Sequence, residues 1–310
     1  MTLRPASALL LLLGVACAGK PAPTASAAPP PAVSASPAAL PAPESSAAQA
    51  PAKPPFRDCG ALSCKAFPDA AAALEHVLAE APRVLAIGEA HAQSSGPKAP
   101  SATRRFMDQL LPRLAPRAVD LVIEIWTANG SCGKVEQKVQ KQQAEVTAPQ
   151  AATNQNEFLE LGHRAKALAI QPHALVPSCE QYHKIAGAGA ADIEEMLRMI
   201  RDVTQRDVEQ LLQKRAPDRL IVAYGGAMHN DLQPREGRQD FSFGPQLAQV
   251  TSDRYVELDL VIPEQIKDSE AWRAQPWYEH YSREKAASEA YLLSWAPHAY
   301  ALFFPKSSEP

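Results

Sequence analysis

"VLAIGEAHA", residues Val84 to Ala92, runs a short apolar stretch directly into a glutamate and a histidine two positions apart. The apolar part reads as a buried strand, which leaves Glu89 and His91 just past its carboxyl end. A second stretch, "IVAYGGAMHND" (Ile221 to Asp231), repeats the order: apolar run, glycines, then His229. If these two strands lie side by side, both histidines share one crevice. The fold therefore turns on what separates them.

The intervening chain alternates. Asp69 is placed to cap a helix over "AAAALEHVLAEA", ended by Pro82, before the strand "RVLAI". "SATRRFMDQLLPRL" starts on a Ser cap and spaces Met107, Leu110, Leu111 and Leu114 as a helix does, with Pro112 limiting its regularity. "AVDLVIEIW" is nearly all apolar, β-branched and aromatic, as a strand buried on both faces should be. A polar, Gln-rich stretch from Lys134 to Gln155 follows, then a helix in "EFLELGHRAKALAI", a third strand in "ALVPSCE" and a long amphipathic helix over "ADIEEMLRMIRDVTQRDVEQLLQKR". "DRLIVAYGG" is the fourth strand. "GPQLAQVT" reads as a short helix, and "RYVELDLVIP" and "AYALFFP" as late strands.

Strand alternating with helix predicts an α/β domain: a mostly parallel central sheet with helices on both faces. In such sheets ligands bind outside the carboxyl ends of the strands, where Glu89, His91 and His229 are expected. Two more residues fit that edge. Glu124 interrupts the apolar run of the second strand, and a buried carboxylate needs a cation, a hydrogen-bond network or a raised pKa. Arg104 shares a helical face with Met107, Leu111 and Leu114, so the spacing predicts that it points inward as the partner of Glu124, with Arg105 facing water. Taken singly, each residue has a plainer account, such as a structural ion pair for Glu124 with Arg104 or a turn cap for His229. Their shared position at strand and helix ends, with glycines beside the histidines, favours a site.

The chain around this domain is of another kind. Arg4 and the apolar run Ala6 to Ala16 lead to Cys17, which predicts a lipoprotein signal over residues 1–17 with Cys17 as the lipidated residue. The large apolar residue of a lipobox stands at Leu13, one position early, with Gly14 in its place. A plain secreted protein cut nearby is the alternative. Residues 18–55 are Ala, Pro and Ser with almost no charge, which predicts a disordered, extended tether between the anchor and the domain at 56–310. A Pro-rich ligand segment would want a basic residue beside a PxxP and finds none. Net charge is -3 with both signs mixed, which excludes nucleic acid as an expected partner. Beyond Cys17 the cysteines are Cys59, Cys64, Cys132 and Cys179. Export and parity suggest disulfides, Cys59 with Cys64 as the local choice and Cys132 with Cys179 remaining. A four-cysteine zinc site would want a CxxC knuckle, which is absent.

"IGEAH", an arginine in the following helix, "IEIW" and "YGGAMHN" together resemble the signature of the superfamily joining erythromycin esterases, Tiki proteases and ChaN-type haem-binding lipoproteins. The resemblance covers most of residues 83–262. The sequence departs from the esterases after His91, where "AQSSG" replaces an expected glycine, and in its Gln-rich segment and cysteines. It implies one of two activities. As a hydrolase of an ester or amide in a small molecule or peptide, His91 would be general base, oriented by Glu89 or Glu124, with Arg104 or His229 stabilising the oxyanion. As a binding protein of the ChaN type, it would hold haem or iron through a tyrosine or histidine near the same edge. Tyr182, His183 and Tyr224 are the candidates, and Glu180 ends the same stretch. Glu89, His91, Glu124 and His229 also suit a divalent metal such as zinc, manganese or iron, and equally suit metal-free acid–base chemistry. His163, His173 and His298 read as solvated or loop histidines. The absence of G-x-S-x-G, Walker and HExxH motifs argues against serine hydrolases, nucleotide enzymes and common zinc proteases.

Overall fold

The computed structural model describes residues 55–127, 130–189 and 193–307. The signal, Cys17 and nearly all of the tether lie outside them.

The chain begins with a hairpin, β1 (Arg57–Gly60) and β2 (Cys64–Phe67), then α1 (Ala70–Leu78) and β3 (Val84–Glu89). Asp69 caps α1 as expected, accepting a hydrogen bond from the Ala72 amide at 2.7 Å. The next helical segment is α2 (Ala102–Arg105), a wider π turn over Phe106–Leu110, and α3 (Leu111–Leu114). Strand β4 (Ala118–Trp126) precedes α4 (Lys134–Thr147), α5 (Asn154–Ala167), β5 (Gln171–Leu175), α6 (Cys179–Ala188) and α7 (Glu194–Lys214). Then come β6 (Leu220–Gly226), the single turn α8 (Ala227–Asn230), α9 (Gly244–Val250), β7 (Tyr255–Val261), β8 (Ala290–Ala296) and β9 (Ala299–Phe303).

One nine-stranded sheet orders these as β1-β2-β8-β9-β7-β3-β6-β4-β5. The run from β9 to β5 is parallel, and β1, β2 and β8 add an antiparallel margin. The protein is thus α/β with a mostly parallel mixed sheet. Alternation along the central strands divides the core. Leu85, Ile87, Leu121 and Val222 pack with α1, the Phe106–Leu114 segment and α5. Val84, Ala86, Val122 and Ile221 face the other way, against α6, α7 and α9. A third cluster, around Trp277, Tyr291 and Phe303, fills the antiparallel margin.

Five elements differ from expectation. The third strand occupies Gln171–Leu175 rather than "ALVPSCE", because Pro177 and Ser178 start a helix: the Ser178 side chain accepts from Gln181 N–H, and the Gln181 side chain accepts from Ser178 N–H. The Gln-rich stretch is a helix, α4. The hairpin and β8 were not anticipated. Both disulfides are present, Cys59–Cys64 and Cys132–Cys179, with Cα separations of 5.0 and 5.3 Å. Among the described residues no helix is long and apolar enough to cross a membrane.

Candidate functional site

Strands β3 and β6 are parallel neighbours, with Gly88 opposite Gly225 and Glu89 opposite Gly226. That register brings the two stretches that opened the sequence to the same edge. Glu89, the last residue of β3, is buried and fully engaged. One carboxylate oxygen meets His91 Nδ1 at 3.0 Å, and the other accepts from the Tyr224 hydroxyl at 2.7 Å and the Thr103 hydroxyl at 2.8 Å. Burial, with the negative Glu89 beside it, raises the Tyr224 pKa well above its ordinary value, so its hydroxyl stays a donor. Phe158 packs edge-on against both the His91 ring and Tyr224. The imidazole is therefore held by Glu89 and Phe158, with Nδ1 committed to Glu89 and Nε2 turned outward.

Glu124 and His229 supply the facing wall. Glu124 Oε2 accepts the Gly226 amide at 2.6 Å, which answers the cost of placing a carboxylate in the β4 strand. Its Oε1 lies 4.0 Å from His91 Nε2 and 3.9 Å from His229 Nε2. His229 Nδ1 bonds the Phe241 carbonyl at 2.8 Å, so its Nε2 also faces Glu124. Glycines make this approach possible. A Cβ on Gly225 would meet Glu124 Oε2 at 2.3 Å. A Cβ on Gly226 would sit 3.4 Å from His91 Nε2 and 3.6 Å from Glu124 Oε2, so glycine leaves room where those groups converge.

Burial opposes charging the His91 ring, but the hydrogen bond and charge of Glu89, with the charge of Glu124 added, outweigh it and raise its pKa to about 9. The folded protein therefore holds the His91 proton more tightly than the unfolded chain does. That contribution to stability is present in full below about pH 6.5 and is lost as pH rises through about 9.

Two cavities meet at His91. One, of about 370 Å³, is walled by Glu89, Glu124, His229, Phe158 and Met196. The other, of about 400 Å³, runs past Asp259, Lys267, Trp272 and Trp277, and His91 and Ala227 border both.

No family model matches the chain, and no curated protein matches it. Among solved structures, the type III effector HopBA1 aligns with 12% identity over 63% of this chain and 82% of that chain. Its TM-score is 0.33, too low to carry an argument.

Four of the expected site residues, Glu89, His91, Glu124 and His229, thus come together. Arg104 does not. It makes a two-pronged ion pair with Glu160 of α5, at 2.7 and 2.6 Å, rather than with Glu124. Arg105, expected in water, is buried instead, donating to the Pro305 carbonyl and to Glu264. The cause is the π turn ahead of Pro112: Leu111 N–H reaches back five residues to the Phe106 carbonyl. A regular 3.6-residue phase counted back from Leu111 and Leu114 then misplaces both arginines.

Tyr182 is buried on α6 and lines a neighbouring cavity that shares Trp126 and Gln143 with the 370 Å³ cavity at His91, whereas His183 is exposed. Glu180 is exposed and pairs with Lys184. His163 is exposed, but His173 is in β5, paired with buried Asp120 at 2.8 Å. Of the residues that fix the site, Thr103 and Tyr224's bond to Glu89 escaped the sequence reading. So did a group of acids, Asp231, Glu257 and Asp259, whose carboxylate oxygens lie within 4.8 Å of one another. The rule that singled out Glu124, an acid inside an apolar strand, applies equally to "YVELDLV". The trio His91, Glu124 and His229 does not close to that spacing, so its donors sit wider than one small metal ion requires.

Proposed function

We propose that this protein is a hydrolase of an ester or amide substrate, with an erythromycin esterase- or ChaN-like α/β domain and His91 as its general base. The observation that carries the reading is the Glu89–His91 pair, which aims His91 Nε2 at the space shared with Glu124 and His229. A water there gives its proton to His91 Nε2 as its oxygen attacks the substrate carbonyl carbon. The bond to the leaving group then breaks, and the imidazolium returns the proton to the departing oxygen or nitrogen. Glu89 holds the tautomer that keeps Nε2 free for this. With Arg104 tied to Glu160, the oxyanion falls to His229, whose Nε2 donates when that ring carries its second proton.

Screening the purified chain against acyl esters and short peptides, with a haem titration alongside, tests this choice. We expect hydrolysis that disappears in His91→Ala and no stoichiometric haem band. Tight haem binding abolished by Tyr182→Phe or Tyr224→Phe, with no His91-dependent hydrolysis, would reverse it. Against that outcome, burial and the nearby Glu136 raise the Tyr182 pKa, which disfavours the tyrosinate that ligates iron.

The proposal extends to location: export, lipidation at Cys17 and tethering by residues 18–55. Two disulfides suit an oxidising compartment. Cys17→Ala should move the chain from the membrane to the soluble fraction; retention in the membrane would defeat the anchor.

A further inference from the structure

Glu257 and Asp259 stand two apart on β7 and so project from the same face of the sheet. Their cross-strand neighbours are Ala86 and Gly88 on β3 and Ala299 and Ala301 on β9. Small residues on both sides leave the two acids without flanking side chains. The α8 turn covers them and brings Asp231 into the group, so that three carboxylate oxygens lie within 4.8 Å of one another. Among the described residues no lysine or arginine bonds any of them. Glu257 accepts the Leu232 amide at 2.6 Å, and Asp259 accepts from Asn230 Nδ2 at 3.1 Å.

Asn230 supplies an independent sign. It is 2% exposed, and its Nδ2 is used by Asp259 and by the Ala86 carbonyl. Its Oδ1 is buried with no hydrogen-bond partner. That oxygen is aimed at the acids: Asn230 Oδ1 and Asp259 Oδ1 lie 2.6 and 2.5 Å from the single point a Cβ on Gly88 would occupy. A buried acceptor left unmatched beside three carboxylates calls for a positive partner. Asp259 also lines the 400 Å³ cavity, which gives an ion a way in.

We propose that Asp231, Glu257, Asp259 and the Asn230 side-chain oxygen form a binding site for a hard divalent cation of the Ca²⁺, Mg²⁺ or Mn²⁺ class. All four donors are oxygens, the set such ions prefer, and none is a soft ligand. The ion would fasten the α8 turn, and with it His229, to the sheet. Without one the acids are poorly placed. Burial and then repulsion from Asp231 push Asp259 up to about 8, and burial lifts Asp231 to about 7 against the pull of Arg235 and Arg238. Burial and both neighbouring acids raise Glu257 well above its ordinary value. The site does not depend on the hydrolase reading.

Titrating Mn²⁺ into the metal-stripped full chain at pH 8, followed by loss of the free-ion resonance signal, tests it directly. We expect one Mn²⁺ per chain, displaced by Ca²⁺ or Mg²⁺, and affinity roughly tenfold or more weaker in Asp259→Asn and in Glu257→Gln. His91→Ala should bind as the wild type does. Both acid variants should melt, metal-free, no lower than wild type, because each removes one of three repelling carboxyls; this keeps lost binding distinct from lost fold. The proposal fails if no Mn²⁺ binds, or if neither acid variant weakens it. It fails equally if His91→Ala abolishes binding while Asp259→Asn keeps it, since the ion would then belong to the histidine site.

Discussion

Replacing His91 by alanine should lower kcat/KM about 10²- to 10⁴-fold, the range a positioned general base supplies. The loss should come without unfolding, since the ring is partly open to the cavities and Glu89 keeps its bonds from Tyr224 and Thr103. The pH profile is the sharper readout. With a pKa near 9, only about 1% of the ring is neutral at pH 7, so wild-type kcat/KM should climb tenfold per pH unit and level off above about 9. Glu89→Gln removes the charge that helps raise that pKa and leaves only a weaker, neutral acceptor for Nδ1. Its profile should therefore level off at a lower pH, while its plateau falls because the ring is less firmly held. A flat wild-type profile between pH 7 and 9, or an active His91→Ala, would remove His91 from the base role.

How far this site could be read from sequence depended on whether period and phase stayed regular. Strands β3, β4 and β6 announce themselves because burial on both faces leaves mostly apolar, β-branched runs, and the parallel-sheet rule then places their carboxyl ends on one edge. Glu89, His91, Glu124 and His229 follow from that rule with no knowledge of side-chain contacts. Arg104 shows where the method stops. Its inward direction was inferred by counting a 3.6 period across Pro112, and one π turn reverses which arginine is buried. Helix α4 was illegible for the opposite reason. Its fully buried residues are Glu136, Val139 and Gln142, and only Val135 and Val146 add half-buried apolar contacts, so its apolar stripe is thin. The hairpin strands are only four residues each, whereas β8, seven residues of "AYLLSWA", is as long as β6 and escaped the sequence reading.

Helix α4 leads to the largest stability effect expected here. A helix that packs only three valines on the core gains modestly from packing, and a few polar links add to its docking. Lys138 Nζ donates to the Ala186 carbonyl at 2.6 Å, and Glu136 accepts the Gly130 and Cys132 amides, both at 3.1 Å. The Cys132–Cys179 bond joins its start to α6 across 47 positions, whereas Cys59–Cys64 closes only 5. Chain entropy scales with loop length, so the long bond should contribute about 4 kcal/mol and the short one about 2. A double Cys132→Ser, Cys179→Ser variant is thus expected to melt roughly 8–16 °C lower, and the Cys59, Cys64 double variant about half as far. Because Gln143, Val146 and Thr147 of α4 wall the cavity at His91, the first variant should also show a raised KM with kcat nearly kept. Its amides over 134–147 should exchange faster than those of α7, as a locally loosened unit does. Equal melting losses from the two pairs, or unchanged exchange in α4, would show that the helix is held by its polar contacts and that the bond to α6 is incidental.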